Sequence, residues 1–246
     1  MKKIVISISL FFTLISCKKE NTSTSTNNGD NNTDDVKTNI TFGKQGPTIS
    51  DVEGNSYKTV YIGAQHWMAE NLKTSRFNNG IQITNLTNSD QWSTTNTGAW
   101  CHYNNDDFFA QKYGKLYNWY IVSLSMNGNN VCPTGWHIPN DSDWKQLSAY
   151  LGGEEKAGGV MKEVGFVNWG TPNTNATNTS LFSGLPGGYR SEYGDFRDIS
   201  KNGNWWSSTE QTSVGANRFK IEYNSESMSF ENNSKKDGYS IRCIKD

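Results

Sequence analysis

Hydrophobic and polar residues alternate with a period of two near both ends of the long C-terminal stretch, and recur at helical spacing between them. Residues Tyr57 to Met68 predict a hairpin, with Lys58-Thr59-Val60-Tyr61-Ile62 alternating, Gly63-Ala64 turning and Gln65-His66-Trp67-Met68 returning. From Tyr113 the period changes. Tyr113, Leu116, Tyr117, Tyr120, Ile121 and Leu124 fall on one face of a predicted amphipathic helix. A second helix is predicted after Pro139: Asn140 caps it, Asp143 completes a capping box, and Trp144, Leu147, Ser148 and Leu151 share a face. Gly152-Gly153 ends it. A short third helix spans Glu154 to Glu163, with Gly158-Gly159 as an interruption. Beyond Leu181 the pattern is strand and loop. Phe219, Ile221 and Tyr223 point one way on one strand, and Tyr239, Ile241 and Cys243 repeat the alternation at the end, with Ser240 and Arg242 on the other side. Strands at both ends with helices mid-chain predict a loop-rich α+β domain, not a parallel βαβ sheet.

The N-terminus follows a different pattern. Lys2 and Lys3 precede an apolar run from Ile4 to Phe12, and Leu14-Ile15-Ser16-Cys17 follows. That order is a secretory signal. The run is too short to span a bilayer, which takes roughly 20 apolar residues. Its ending resembles the bacterial lipobox, in which cleavage leaves an acylated cysteine, here Cys17. Residues 1–16 are thus expected to be a lipoprotein signal peptide. Three acyl chains on Cys17 would hold the protein to a membrane without a transmembrane helix. The expected location is the outer membrane or cell surface. Val36 is the only aliphatic or aromatic residue between Lys18 and Asn39, so residues 17–48 are expected to form a disordered tether. About 30 residues of coil span on the order of 30 Å.

Residues 49–246 are long enough for one domain with its own core. Hydrophobic residues make up only 34% of the sequence, but nine Trp supply large buried areas instead. The formal net charge of −1 becomes about −3 once Lys2 and Lys3 leave with the signal. That balance offers no footprint for nucleic acid. With Cys17 acylated, Cys101, Cys132 and Cys243 remain, enough for one disulfide and one free thiol. A bond between Cys132 and Cys243 would tie the middle of the domain to its last strand; Cys101 stays open as an alternative partner. Closing a loop of roughly 110 residues is worth up to about 4–5 kcal/mol.

Six ordered blocks carry a resemblance. They are Val60-Tyr61-Ile62-Gly63-Ala64-Gln65-His66-Trp67-Met68-Ala69-Glu70-Asn71-Leu72, Tyr113-Gly114-Lys115-Leu116-Tyr117-Asn118-Trp119-Tyr120, Cys132-Pro133-Thr134-Gly135-Trp136-His137-Ile138-Pro139, Leu185-Pro186-Gly187-Gly188-Tyr189-Arg190, Trp206-Ser207-Ser208-Thr209-Glu210, and Gly238 to Asp246. Together they resemble the Fibrobacter succinogenes major paralogous domain, found in exported and often lipid-anchored bacterial proteins with no assigned activity. More distantly, Gly135 to Trp144 is similar to a segment of formylglycine-generating-enzyme-like domains. That likeness implies a C-type-lectin-like architecture, in which the termini pair as neighbouring strands; a fold-level likeness carries no function by itself.

Catalytic chemistry is sparse. His66, His102 and His137 lack metal-ligand spacing, and Cys132 with His137 has no second pair to complete a zinc site. No G-x-S-x-G, Walker A or G-x-G-x-x-G motif occurs. The formylglycine enzymes use a C-terminal cysteine pair; this chain offers only Cys243 there. Asn104-Asn105-Asp106-Asp107 supplies oxygen ligands suited to calcium, or an Asp cap for the helix that follows. No metal or cofactor is expected, and the domain reads as a non-enzyme.

The surface candidate is Asn202-Gly203-Asn204-Trp205-Trp206, with Tyr189 and Arg190 upstream. Neighbouring residues on a strand face opposite ways. If Trp206 belongs to the core block of the resemblance, Trp205 faces outward or into a groove, or else covers the core edge under a loop. Trp205, Tyr189, Arg190 and Asn204 are accordingly the candidate ligand-binding residues. The expected role is a surface-anchored binding module for carbohydrate or a surface protein. Alternatives are a structural or adhesive component of the envelope and, further off, a degenerate formylglycine-type enzyme.

Overall fold

Strands Thr59–Ile62 and Gln65–Met68 form the predicted hairpin, turning at Gly63 with φ +59°. The computed structural model describes residues 41–246; the signal, Cys17 and most of the tether lie outside them. Strand Gly43–Gln45 adds to the outer side of the hairpin, in register with Val60 to Ile62. Folded structure therefore begins before residue 49, inside the stretch read as tether. The polar composition of that stretch hid the strand, which is held by backbone pairing and not by buried side chains.

On the other side of the hairpin lies the C-terminal strand Ile244–Lys245, with Ile244 opposite Trp67 and also opposite His137 of strand Trp136–His137. The last residues are thus central, not peripheral, to a five-stranded sheet. A six-stranded sheet contains Phe196–Ile199, Gly187–Arg190, Gly238–Tyr239, Leu116–Asn118, Ala99–Cys101 and Thr84–Asn85. A three-stranded antiparallel sheet of Asn202–Glu210, Gly215–Glu222 and Met228–Ser234 completes the main framework. Five α-helices are present among the described residues, and the class is α+β.

Helix Asp141–Tyr150 forms as its sequence predicts. Asn140 Oδ1 accepts from the Ser142 and Asp143 amides, and Asp143 returns a bond to the Asn140 amide at 2.9 Å. Trp144, Leu147, Ser148 and Leu151 are all buried. The helix Glu154–Met161 runs straight through Gly158-Gly159, which do not interrupt it. A Cβ at Gly158 would lie 2.3 Å from the Ser227 carbonyl oxygen, so the glycines allow close approach of another segment.

The long helix read from Tyr113 does not exist. Helix Asp107–Tyr113 ends there, Gly114 turns the chain at φ +76°, Leu116–Asn118 enters the six-stranded sheet, and a new helix spans Trp119–Met126. Tyr117 pairs with strands on both sides and Leu116 with Cys101 on one, which outweighs their helical spacing. Helix Ser89–Thr94, around buried Trp92, has too little periodicity to read in advance.

The strand Asn202–Glu210 separates two hydrophobic cores. Trp206 packs with Trp119, Tyr117, Tyr239 and Ile241, whereas Trp205 packs with Trp67, Trp144, Trp169, Phe182 and Phe219. A smaller cluster gathers Trp92, Ala99, Cys101, Tyr103 and Leu116. Residues 239–243 run between the two large cores. Ser240 and Arg242 are therefore as buried as Tyr239, Ile241 and Cys243. The Cys132–Cys243 disulfide forms across 111 positions, and Cys101 is free and buried.

Candidate functional site

Three of the four residues expected to bind ligand are interior. Trp205 has no exposed surface; its Nε1 donates to Asn71 Oδ1 at 2.8 Å, and its ring meets Phe182 edge-on. The alternation argument holds, since Trp205 and Trp206 do face opposite ways. The outward direction does not hold, because both faces of this strand are covered by core. Asn204 is also buried, donating to the Gly188 carbonyl at 3.1 Å and accepting from Arg218. The Arg190 guanidinium lies between the Trp92 and Phe196 rings and donates to the carbonyls of Leu86, Thr87 and Gly194. Buried and spent on backbone carbonyls, it ties the segment at Leu86-Thr87 and the turn at Gly194 to its own strand and is closed to ligand. Tyr189 is half-buried against Tyr239, at 5.5 Å between ring centroids. The structure does not gather these four residues into an open site.

The Asn104–Asp107 loop resolves as a helix cap. Asp106 accepts from the Phe108 amide at 2.9 Å, Asn105 donates to the Thr87 carbonyl, and Asp107 faces His102 at 2.8 Å. Beside it is a shallow cleft of about 350 Å³, lined by Lys73, His102, Asp107 and Lys115. Lys115 lies 4.4 Å over the Trp100 ring and donates to the Lys73 carbonyl, so its charge is already engaged.

A larger cleft, about 520 Å³, opens at the end of the five-stranded sheet. The hairpin contributes Tyr61 and His66, which face each other in register and stack at 4.0 Å between ring centroids. Tyr61 keeps 41% of its surface exposed, whereas His66 keeps 9%. On the far side of His66 is Trp136, at 4.9 Å. Strand Trp136–His137 and helix Asp141–Tyr150 bring in His137 and Gln146, and the C-terminal strand brings Lys245.

His66 and His137 experience opposite environments. Burial lowers the His66 pKa below its ordinary value, and nearby Lys245 lowers it further. His137 is flanked by carboxylates, with Nε2 3.5 Å from Asp143 and Nδ1 2.7 Å from Asp246. The hydrogen bond to Asp143, the less exposed of the two, raises its pKa; burial opposes this and Asp246 reinforces it. His66 is therefore neutral near pH 7, and His137 favours its cation more than a free imidazole does. Among the described residues, no group of three or more His, Cys, Asp or Glu is arranged to hold a metal ion.

The three histidines are far apart along the chain, and no spacing in the sequence signals this cleft. One part was accessible: the two-residue turn at Gly63-Ala64 sets Tyr61 opposite His66. The meeting with His137 and Gln146 depends on the C-terminal strand inserting between Gln65–Met68 and Trp136–His137.

The fold and cleft define an α+β domain with a polar recess beside one exposed aromatic ring. A family model, the Fibrobacter succinogenes major domain, matches residues 60–245, and the protein belongs to that family. No match was found among curated proteins or among solved structures.

Proposed function

We propose that the chain is an exported, lipid-anchored, non-enzymatic binding module that recognises a glycan or a surface protein through the cleft at the end of the five-stranded sheet. The observation that carries the reading is Tyr61, an exposed ring held against buried His66 at a recess lined mostly by polar side chains. Aromatic rings backed by fixed neighbours bind at low entropic cost. The non-enzymatic reading draws support from the cysteines. Burial pushes the Cys101 thiol up to about 12, far from a thiolate at neutral pH, and Cys243 is spent in the disulfide.

Anchoring through Cys17 belongs to the same proposal. No helix among the described residues is long and apolar enough to cross a membrane. A C-type-lectin-like arrangement is part of it too, supported by the antiparallel pairing of Ile244 with Trp67, which sets the C-terminal strand beside the hairpin. Glycan arrays and pull-downs from intact cells, run with wild type and Tyr61→Ala, test the cleft; equal capture by both removes it. Cys17→Ser should release the protein from detergent-phase membranes, and full retention of that variant removes the anchor.

A second reading, self-association in the cell envelope, is favoured by the loop carrying Val164, Phe166 and Val167, which are 54%, 63% and 89% exposed. Concentration-dependent sedimentation abolished by Phe166→Ser would support it.

A further inference from the structure

The loop after helix Glu154–Met161 holds apolar side chains out in water. Val164, Phe166 and Val167 are exposed, and Val167 shows more of its surface than any other large hydrophobic residue among the described ones. Both feet of the loop are fixed. Buried Asn173 donates from Nδ2 to the Glu163 carbonyl at 3.0 Å and to the Gly165 carbonyl at 2.8 Å. Asn168, also buried, donates to the Glu163 carboxylate at 2.5 Å. Buried Trp169 donates from Nε1 to the Gly184 carbonyl at 3.0 Å. A tip braced in this way cannot turn its side chains into the core. Clustered exposed apolar residues mark contact surfaces, and a rigid tip loses little entropy on contact.

Two features say what covers the tip. The first is charge: residues 164–189 include no Asp, Glu, Lys, Arg or His. Charged side chains are what the apolar part of a bilayer rejects most strongly. The second is position. The Phe42 and Gly43 amides donate to the Thr179 carbonyl, and the next residue, Ser180, donates to the Val160 carbonyl. From Val160 to Val164 is at most about 14 Å of extended chain, which puts the start of the tip within about 30 Å of the point where the expected tether joins the domain. Cys17 and Thr41 are 24 positions apart. A coil of that length spans on the order of 30 Å. An acylated Cys17 therefore keeps the tip within reach of the bilayer at high effective concentration, where a weak contact suffices.

We infer that the loop 164–167 dips its apolar side chains into the bilayer that holds the chain, and so sets how the domain rests on the membrane. This depends on the anchoring through Cys17 proposed above and adds a second, reversible contact. A second copy of the chain is the competing occupant of the same loop.

The test places a nitrobenzoxadiazole fluorophore on Val167→Cys, which is selectively labelled because Cys101 is buried and Cys132 is bonded to Cys243. The full-length acylated protein is reconstituted in phosphatidylcholine vesicles, with or without a nitroxide on the acyl chains. A parallel Cys17→Ser form, with hexahistidine in place of residues 1–16, is held on nickel-chelating lipid. The expected result is blue-shifted emission that the nitroxide quenches in both forms. Phe166→Ser should move the inserted-to-free ratio about tenfold toward free, with an unchanged melting temperature. Absence of quenching on nickel lipid overturns the loop's role whatever Cys17 carries, and so does quenching that Phe166→Ser leaves undiminished. A blue shift that grows with protein density but is not quenched also overturns it and makes a second copy the occupant. If the nickel-held form is quenched but the protein from cells carries no acyl chains, the loop assignment stands and the anchor fails.

Discussion

Asn71 and Arg242, 171 positions apart in sequence, share one buried polar node. Asn71 Oδ1 accepts from Arg242 Nη2 at 2.9 Å and Nε at 3.2 Å, and from Trp205 Nε1 at 2.8 Å. Its Nδ2 donates to the Tyr113 carbonyl at 2.8 Å and to Ser240 Oγ. The guanidinium also lies 4.1 Å from the Phe182 ring centroid. One asparagine therefore connects the residues after the hairpin, the C-terminal segment and the strand that divides the cores. Asn71→Ala leaves a buried cation with only the Phe182 and Ser183 carbonyls. We expect a loss of about 3–5 kcal/mol, the range for breaking a buried charged contact. Chemical denaturation measures it; a loss below about 1 kcal/mol would remove the node from the account of stability.

Trp205→Ala and Trp206→Ala should destabilise alike. Each empties a large volume from a core and removes a buried hydrogen bond, to Asn71 Oδ1 in one case and to the Tyr117 carbonyl in the other. The expected cost is about 3–5 kcal/mol apiece. Thermal melts decide this, and a native-like melt of Trp205→Ala would contradict its burial.

The Cys132–Cys243 disulfide holds the C-terminal strand to the segment before Trp136–His137. Cys132→Ser or Cys243→Ser should cost about 2–5 kcal/mol. Cys101 should stay unlabelled by thiol reagents under native conditions and react once the domain unfolds. Rapid native labelling would show that the third cluster opens more readily than its packing implies.

Histidines 66 and 137 should titrate on opposite sides of the ordinary imidazole value. For His66, whose folded pKa is lowered, the unfolded chain binds more protons as pH falls below about 6.5. Stability from this group is thus lost toward acid. For His137, whose folded pKa is raised, the contribution is complete below about 6.5 and is lost as pH climbs through the folded value. Proton NMR of the two Cε1–H resonances reads both midpoints. Coincident midpoints would mean that the Asp143 and Asp246 contacts do not act on His137.

Gly158→Ala should destabilise the domain although alanine favours helix by about 1 kcal/mol. The new Cβ would meet the Ser227 carbonyl carbon and oxygen, which are backbone and cannot rotate away. Overpacking of this kind costs about 1–3 kcal/mol. A raised melting temperature would show that the segment around Ser227 yields easily.

Local signals carried much of the fold. The hairpin and its turn, the capped helix Asp141–Tyr150, and the strand through Phe219 and Ile221 all depend on neighbours within a few residues, so spacing alone specified them. The disulfide was among the pairings the cysteine count allowed. The six ordered blocks were enough to place the chain in its family.

What required tertiary structure was the question of which faces are covered. Alternation puts Trp205 and Trp206 on opposite sides of a strand, but cannot say that a core lies on each side. Spacing likewise places Leu116 and Tyr117 on a helical face, until Trp100, Cys101 and Tyr239 bid for their backbone groups as strand partners. The cleft depends most on long-range placement. Tyr61 and His66 belong to one hairpin, His137 follows 71 positions after His66, and Lys245 arrives only with the last strand. The sequence by itself determined the local elements, because short-range hydrogen bonding and hydrophobic period decide them. Burial and the site were decided by strand order in the sheets, where pairing across the length of the chain chooses which faces are covered and which residues meet at the cleft.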